Sequence, residues 1–508
     1  MKKYIVVILL PLIAGISFSG CKKFLNVVPI DNLSGNNFWK TKSDFDEFAM
    51  GIYNRLRDSL MMQCMFFPAT GDFRCAPANA TATYSTEYFF SDLRKNALTT
   101  MLARSQYKPG GSNARPLYTI TLWDAFYSSI AEANILYSEA SGSTVLSADD
   151  IKSYQAEAVF QRCLCYFLMV RVFGDVPYYT DPFHSTPLPR TPMVEVLRKC
   201  ISELTAVKND LPWSFDDPNV VGTRANRGAA IDLLMHMNMW LAGFDNATPA
   251  AQYYQATANL GAEIMDQNGG AYALLPLSQT PQIFRGHSKE SLFEFVSNYN
   301  GGEIFNASAV YSTFCLSSPY ASNGGAYFYY DQAFMLKLYP NDTTTDLRRT
   351  AWFMSDLKHS MYNIDGSQVM TKFIDTTQKG STNLALMNDQ IVFRYTDAVL
   401  LRAEALSDLS KDDSAQIFVN MIRARSQAAP FTSTGQDLKD AIYWERVREL
   451  MGEGYYYYDL VRTHKLVDGN YCYAPISSAA FNSGGWTWPL DATALGEDPD
   501  ITLNQYWQ

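Results

Sequence analysis

The sequence predicts a mainly α fold, in which helix pairs build a scaffold and long irregular loops lie over it, with little β structure. Three observations carry that expectation. Apolar residues recur at helical spacing in segments spread along the chain, from Ser43 to Val467. Successive segments are joined by short polar turns, such as Ser410-Lys411-Asp412-Asp413-Ser414. Between them lie stretches with no helical period, Thr70 to Tyr118, Tyr272 to Tyr330 and Asn470 to Gln508, where aromatic residues sit among glycine, serine and asparagine.

The helices follow in order. Ser43 with Asp46 reads as an N-terminal cap, after which Phe45, Phe48, Ala49, Ile52, Tyr53 and Leu56 fall on one face. Trp123 to Ala140 places Phe126, Ile130, Ala133, Ile135 and Tyr137 broadly on one side. Ile151 to Phe173 is apolar nearly all round, the mark of a buried helix, and Gly174-Asp175-Val176-Pro177 stops it. Pro192 to Leu211 comes next, then Arg227 to Leu241, ending before Gly243, and Tyr253 to Gln267, stopped by Gly269-Gly270. Tyr395 to Leu409, Ser414 to Ser426 and Asp437 to Val467 complete the set. Helix pairs of this kind resemble tetratricopeptide-type repeats, at irregular spacing.

With 508 residues, 47% apolar and 18% charged, the chain is a folded globular protein. The net charge is −10, from 41 basic against 51 acidic residues. No dense Lys/Arg run lies beyond the N-terminus, which argues against nucleic acid as a partner. No linker or charge block divides the chain, so one interwoven domain is expected over 21–508, with an N-terminal part to about 300 and a C-terminal part from about 301.

Met1-Lys2-Lys3 is a positive start, followed by the apolar stretch Tyr4 to Ile16, interrupted by Pro11. That stretch is shorter than the ~20 residues needed to span a bilayer, so residues 1–20 read as a cleaved export signal. Ser19 and Gly20 directly before Cys21 resemble a bacterial lipobox. Cleavage there leaves Cys21 as an acylated N-terminus, anchored by its chains. Phe18 stands where such boxes usually carry leucine. The remaining cysteines, Cys64, Cys75, Cys163, Cys165, Cys200, Cys315 and Cys472, give no disulfide framework, although Cys64 and Cys75 are close enough in sequence to pair. Cys163 and Cys165 face different directions on a helix, and most of the set reads as apolar filling.

No active-site motif is present. Glu445 and Glu449 lie one turn apart, a spacing open to acid/base work, but Arg446 and Arg448 interleave with them and favour a buried ion-pair network beside Trp444 and Tyr455–Tyr458. His184, His236, His287, His359 and His464 are isolated, with no ligand spacing on one helix, and His236 reads as a core residue. Nucleophile elbows and phosphate-binding glycine loops are absent, and no cofactor is expected. The loop aromatics carry the remaining chemistry. Asp72, Arg74 and Tyr84 lie in one aromatic stretch, and Tyr299, Asn300, Tyr320 and Tyr327 in another. Flat rings stack on the C–H faces of sugars while Asp, Arg and Asn fix hydroxyls. The same rings suit protein contact, or the packing of long loops onto helices.

Taken together, the segments resemble the SusD/RagB nutrient-binding lipoproteins of the Gram-negative outer membrane. The matching stretches stand in the family's order. They begin with Cys21, Phe24-Leu25, Pro29 and Asn37-Phe38-Trp39, then Gly51 and Tyr53, and continue with Ala156-Glu157-Ala158, Tyr166-Phe167 and Phe173-Gly174-Asp175-Val176-Pro177. Arg227-Gly228-Ala229-Ala230, Leu401-Arg402-Ala403-Glu404-Ala405, Asn420 with Ile422–Arg425, the helix from Trp444 to Arg462, and the tail with Pro475-Ile476 and Leu503-Asn504-Gln505 follow. The resemblance spans essentially the whole chain.

It implies tetratricopeptide-like pairs forming a scaffold and irregular loops forming a ligand face. It also implies a lipid-anchored, surface-exposed outer-membrane protein that is not an enzyme. Such a protein captures oligosaccharides, or peptides in another branch, and passes them to a SusC-like TonB-dependent transporter. A lipoprotein glycosidase is the remote alternative. Lys22-Lys23 follow the cysteine where exported members often carry acids. The family has no portable ligand motif, so the choice of Asp72, Arg74, Tyr84, Tyr299, Asn300, Tyr320 and Tyr327 rests on composition.

Overall fold

Thr41 has an extended backbone, and the Asp44 carboxylate accepts its N–H at 2.6 Å, so the first helix, α1 (Lys42–Arg57), starts on a capping box two residues earlier than the sequence suggests. The computed structural model describes residues 38–62, 66–80, 87–104, 117–297, 328–340, 345–374, 388–497 and 499–508. Within them the chain is mainly helical, as the periodicity requires. After α1 come α2 (Glu87–Arg94), α3 (Leu98–Ala103), α4 (Asp124–Ser141), α5 (Ala148–Phe173), α6 (Met193–Val207), α7 (Arg227–Phe244) and α8 (Ala250–Gln267). The C-terminal set is α9 (Tyr395–Asp408), α10 (Asp412–Arg425), α11 (Gly435–Glu449) and α12 (Tyr456–Arg462).

The pairs expected from the short turns form: α4 lies along α5, α8 against α7 and α9, and α10 along α9. Helix α5 is the axis of the core. Ser147 caps it by accepting the Asp150 N–H at 3.1 Å, and from Ala156 to Phe173 every side chain is buried. Each fully buried Phe or Leu there contributes about 1.5–3 kcal/mol. Gly174, at φ +74°, ends the helix in a conformation that residues with a Cβ rarely adopt. One hydrophobic cluster runs from Tyr53 to Ile501 and draws on both halves of the sequence. His236 is buried on α7, stacked between the Phe393 and Tyr455 rings and bonded to Asp397 at 2.5 Å, as a core histidine must be.

Three elements differ from expectation. The single helix expected over Asp437–Val467 is broken: α11 ends at Glu449, and the chain turns through Gly452 (φ +83°) and Gly454 (φ +89°) before α12. Positive φ is incompatible with a right-handed helix, and the Phe373 ring occupies the space a Cβ on Gly452 would need. Helix α7 runs through Gly243 instead of stopping before it, because that glycine lets the backbone of Arg462 approach. The stretch Thr70–Tyr118 also holds structure: a π-helical turn at Pro68–Phe73, then strand β1 (Ala78–Ala80), α2 and α3.

The β structure is small. β1 pairs antiparallel with β3 (Phe328–Tyr330), and β2 (Ser291–Phe295) pairs antiparallel with β4 (Gln390–Arg394). Among the described residues, no helix is long and apolar enough to cross a membrane.

Candidate functional site

Glu445 and Glu449 of α11 could have lined a catalytic cleft; they are instead interior. Glu445 and Glu449 are fully buried and Glu453 nearly so. Glu445 meets Arg348 at 2.8 Å, Arg423 at 2.7 Å and also Arg448. Glu449 meets Arg348 at 2.8 Å, Arg394 at 3.0 Å and Arg425, while Glu453 takes Lys372 and Arg394, each at 2.6 Å. Glu290, from the segment entering β2, closes the network onto Arg394 and Arg425. Burial opposes ionisation of Glu445, but Arg348, Arg448 and Arg423 outweigh it and hold the carboxyl down to about 2. Glu449 is likewise held low against burial by Arg425, Arg394 and Arg348. These carboxylates stay charged and keep no proton to give a substrate.

The same shifts fix a pH dependence. Glu445 ionises near 4.5 when unfolded and near 2 when folded, so its stabilisation is present above pH 4.5 and lost as pH falls toward 2. Urea midpoints measured across that range should fall steadily on acidification.

Asp72 and Arg74 were expected at the ligand face, and the structure corrects both: each is interior. Asp72 accepts the Gly454 N–H at 2.6 Å, and burial pushes its carboxyl up to about 8. Arg74 donates to Asn96 Oδ1 at 2.7 Å and to the carbonyls of Trp486 at 2.7 Å and Gly485 at 2.9 Å, with its guanidinium 4.4 Å from the Tyr457 ring centroid. Both residues fasten the chain's ends together. Asp72 adds an opposite pH term to that of Glu445, because its raised folded value makes stability fall as pH rises from about 4 through 8. Asp72→Asn should remove that alkaline component from the urea midpoints.

Tyr84, Tyr299, Asn300, Tyr320 and Tyr327 lie outside the described residues. Ala80 and Phe328 are register partners across β1 and β3. Beside this ladder, toward its Ala78–Tyr330 end, stand further polar and aromatic side chains. Arg94, from α2, donates to Asn79 Oδ1 at 2.9 Å and to the Tyr473 hydroxyl at 2.8 Å, and its guanidinium lies 4.9 Å from the Tyr473 ring centroid. Asn79 donates to Asp331, whose carboxyl burial raises. Tyr329 donates to the Ile364 carbonyl at 2.8 Å. Tyr473 is 42% exposed. An open ring beside a fixed guanidinium, amide and carboxylate can stack on a sugar and hold its hydroxyls.

A second aromatic concavity, of about 170 Å³, is lined by Trp123, Tyr127, Tyr179 and His184. Tyr127 and Tyr179 stack at 5.9 Å, and Tyr179 and His184 at 4.6 Å. No sequence signal marked these, because the rings come from separate segments.

Two groups bring a histidine and two carboxylates within reach of one point, Asp232–His236–Asp397 and His287–Glu294–Asp389. In the first, Asp397 is engaged by His236 and by Arg446 at 2.7 Å, while burial raises Asp232 far above its usual value. In the second, Glu294 accepts the His287 N–H at 2.6 Å and Asp389 that of Ser297 at 2.8 Å.

Comparison with known proteins agrees with this architecture. Residues 289–507 match the model described as the SusD family, and residues 71–237 match one described as starch-binding associating with outer membrane. A SusD-like protein of Formosa agariphila is 25% identical, over 96% of this chain and 95% of its own length. The surface glycan-binding protein A of Bacteroides uniformis shares the fold, at 19% identity and a TM-score of 0.65, over 92% of this chain and all of that one. A SusD homolog from Bacteroides thetaiotaomicron superposes with a TM-score of 0.83 at 38% identity, covering 93% of this chain and 100% of that structure. With a 38% identical SusD homolog matched over nearly the full length, the chain belongs to the SusD family.

Proposed function

We propose that this protein is an outer-membrane lipoprotein that captures oligosaccharides and delivers them to a SusC-like TonB-dependent transporter, without catalysis. The mature chain, 21–508, acts as one domain tethered through acylated Cys21. The observation that carries the reading is the cluster of Arg94, Asn79, Asp331 and the half-exposed Tyr473 beside the β1–β3 ladder. The complete pairing of Glu445, Glu449 and Glu453 supports it, since carboxylates locked to arginines serve the scaffold. Relatives described as glycan-binding add to that support.

Affinity electrophoresis against a glycan panel tests this reading. Arg94→Ala and Tyr473→Ala are expected to weaken retardation about tenfold, the equivalent of about 1.4 kcal/mol, while melting behaviour stays near that of the wild type. Retardation by peptides alone would move the protein to the peptide-uptake branch. For the anchor, Cys21→Ala should abolish incorporation of labelled fatty acid and release the protein from membranes; retained label would remove Cys21 from its role.

A further inference from the structure

We propose that Cys75 and Cys472 form a disulfide, joining the segment that leads into β1 to the C-terminal segment that carries Tyr473. Both are free thiols here; Cys75 Sγ lies 3.6 Å from the carbonyl oxygen of Ala474, two residues beyond Cys472, and the neighbouring Cys472 thiol adds to the burial that raises Cys75. Both residues are buried, at 0% and 2% exposure.

The backbones on either side are already fixed. Arg74 grips the carbonyls of Gly485 and Trp486, the Cys75 N–H donates to Leu93 at 3.1 Å, and the Cys472 N–H donates to Asp468 at 2.9 Å. Cys75 itself sits at φ +57°, a left-handed conformation that a non-glycine residue adopts only where its surroundings impose it. Cys163 Sγ lies 3.6 Å from the Cys200 carbonyl oxygen, but these two lie within α5 and α6, two long packed helices, whereas Cys75 and Cys472 lie in irregular backbone that can adjust to disulfide geometry. Cys64, the partner the sequence offered to Cys75, lies outside the described residues.

Thiol–disulfide exchange closes the bond with atoms in balance. The Cys472 thiolate attacks one sulfur of a donor disulfide and releases the first donor thiolate. The Cys75 thiolate then attacks Cys472 Sγ of the mixed disulfide and releases the second. The two cysteine protons end on the two donor thiols. The donor class is a disulfide-carrying oxidoreductase of the export compartment, or oxidised glutathione in a test tube. The order follows from the surroundings: the hydrogen bond from Cys75 holds the Cys472 thiol below its usual range, whereas burial pushes Cys75 up. Closure would pin the root of the β1–β3 end to Tyr473, so the inference rests on the export reading for its oxidising setting.

The experiment uses lipoprotein extracted from its membrane, alkylated before any reduction, digested and mapped by mass. A Cys75–Cys472 linked peptide, alkylated only after dithiothreitol, is the expected result. In a second arm the reduced protein is exposed to oxidised glutathione, which probes the pair whether or not the cell exported it. Alkylation of both cysteines without reduction in both arms, or linkage of Cys75 to any other cysteine, overturns the proposal. Wild-type melting temperature should fall on adding reductant, and C75S and C472S should not respond. An equally unresponsive wild type overturns the proposal as well. Loss of fatty-acid labelling at Cys21 would sink the lipoprotein reading alone.

Discussion

Replacing Glu449 with alanine is expected to lower the free energy of unfolding by about 3–5 kcal/mol, the cost of stranding buried charges. Arg348, Arg394 and Arg425 all bond this carboxylate, and Arg348 and Arg394 are almost wholly enclosed. Arg425 suffers most, keeping among the described residues only Glu290 as an acidic partner. Bulk water cannot replace the lost counter-charge, because these groups are buried. The Lys439–Asp408 pair, at 2.9 Å and partly exposed, is the control. Lys439→Ala should cost about 0–1 kcal/mol, since solvent already screens both groups. Urea unfolding followed by circular dichroism measures both. A Glu449→Ala cost no larger than that of Lys439→Ala would show that the network does not brace the fold.

Gly71→Ala should be the second large effect. A Cβ at position 71 would stand 2.0 Å from the Gly454 carbonyl oxygen and 2.6 Å from its Cα, so the obstacle is backbone on both sides. No side chain can rotate away. The next residue, Asp72, holds the Gly454 N–H at 2.6 Å, and a shift large enough to relieve the clash breaks that bond too. Overpacking of a core costs about 1–3 kcal/mol where side chains yield, and this site should exceed that range. Thermal melting and soluble yield are the readouts. A variant that melts with the wild type would mean that the two backbones do not meet.

Helix α5 was legible because its residues are apolar on every face and a glycine follows, so local composition alone dictated a buried helix with a defined end. The break between α11 and α12 was not. Gly452 and Gly454 lie inside an otherwise helical pattern, and what forces their positive φ is the Phe373 ring and the approach of Gly71, from distant parts of the chain. Arg74 misled for a related reason. Besides Asn96 its partners are main-chain carbonyls at 485 and 486, which no side-chain spacing reveals, and an arginine among loop aromatics has the same local signature whether it faces ligand or core. The β1–β3 ladder is three residues long and pairs opposite halves of the sequence, so neither length nor alternation could announce it. Arg94 and Tyr473 meet from segments nearly four hundred residues apart, which local pattern cannot announce.

The central claim is capture without cleavage. Purified protein incubated with the glycan that retards it most should show saturable binding by calorimetry and no rise in reducing ends over the same period. A steady, enzyme-proportional release of reducing ends would contradict the account.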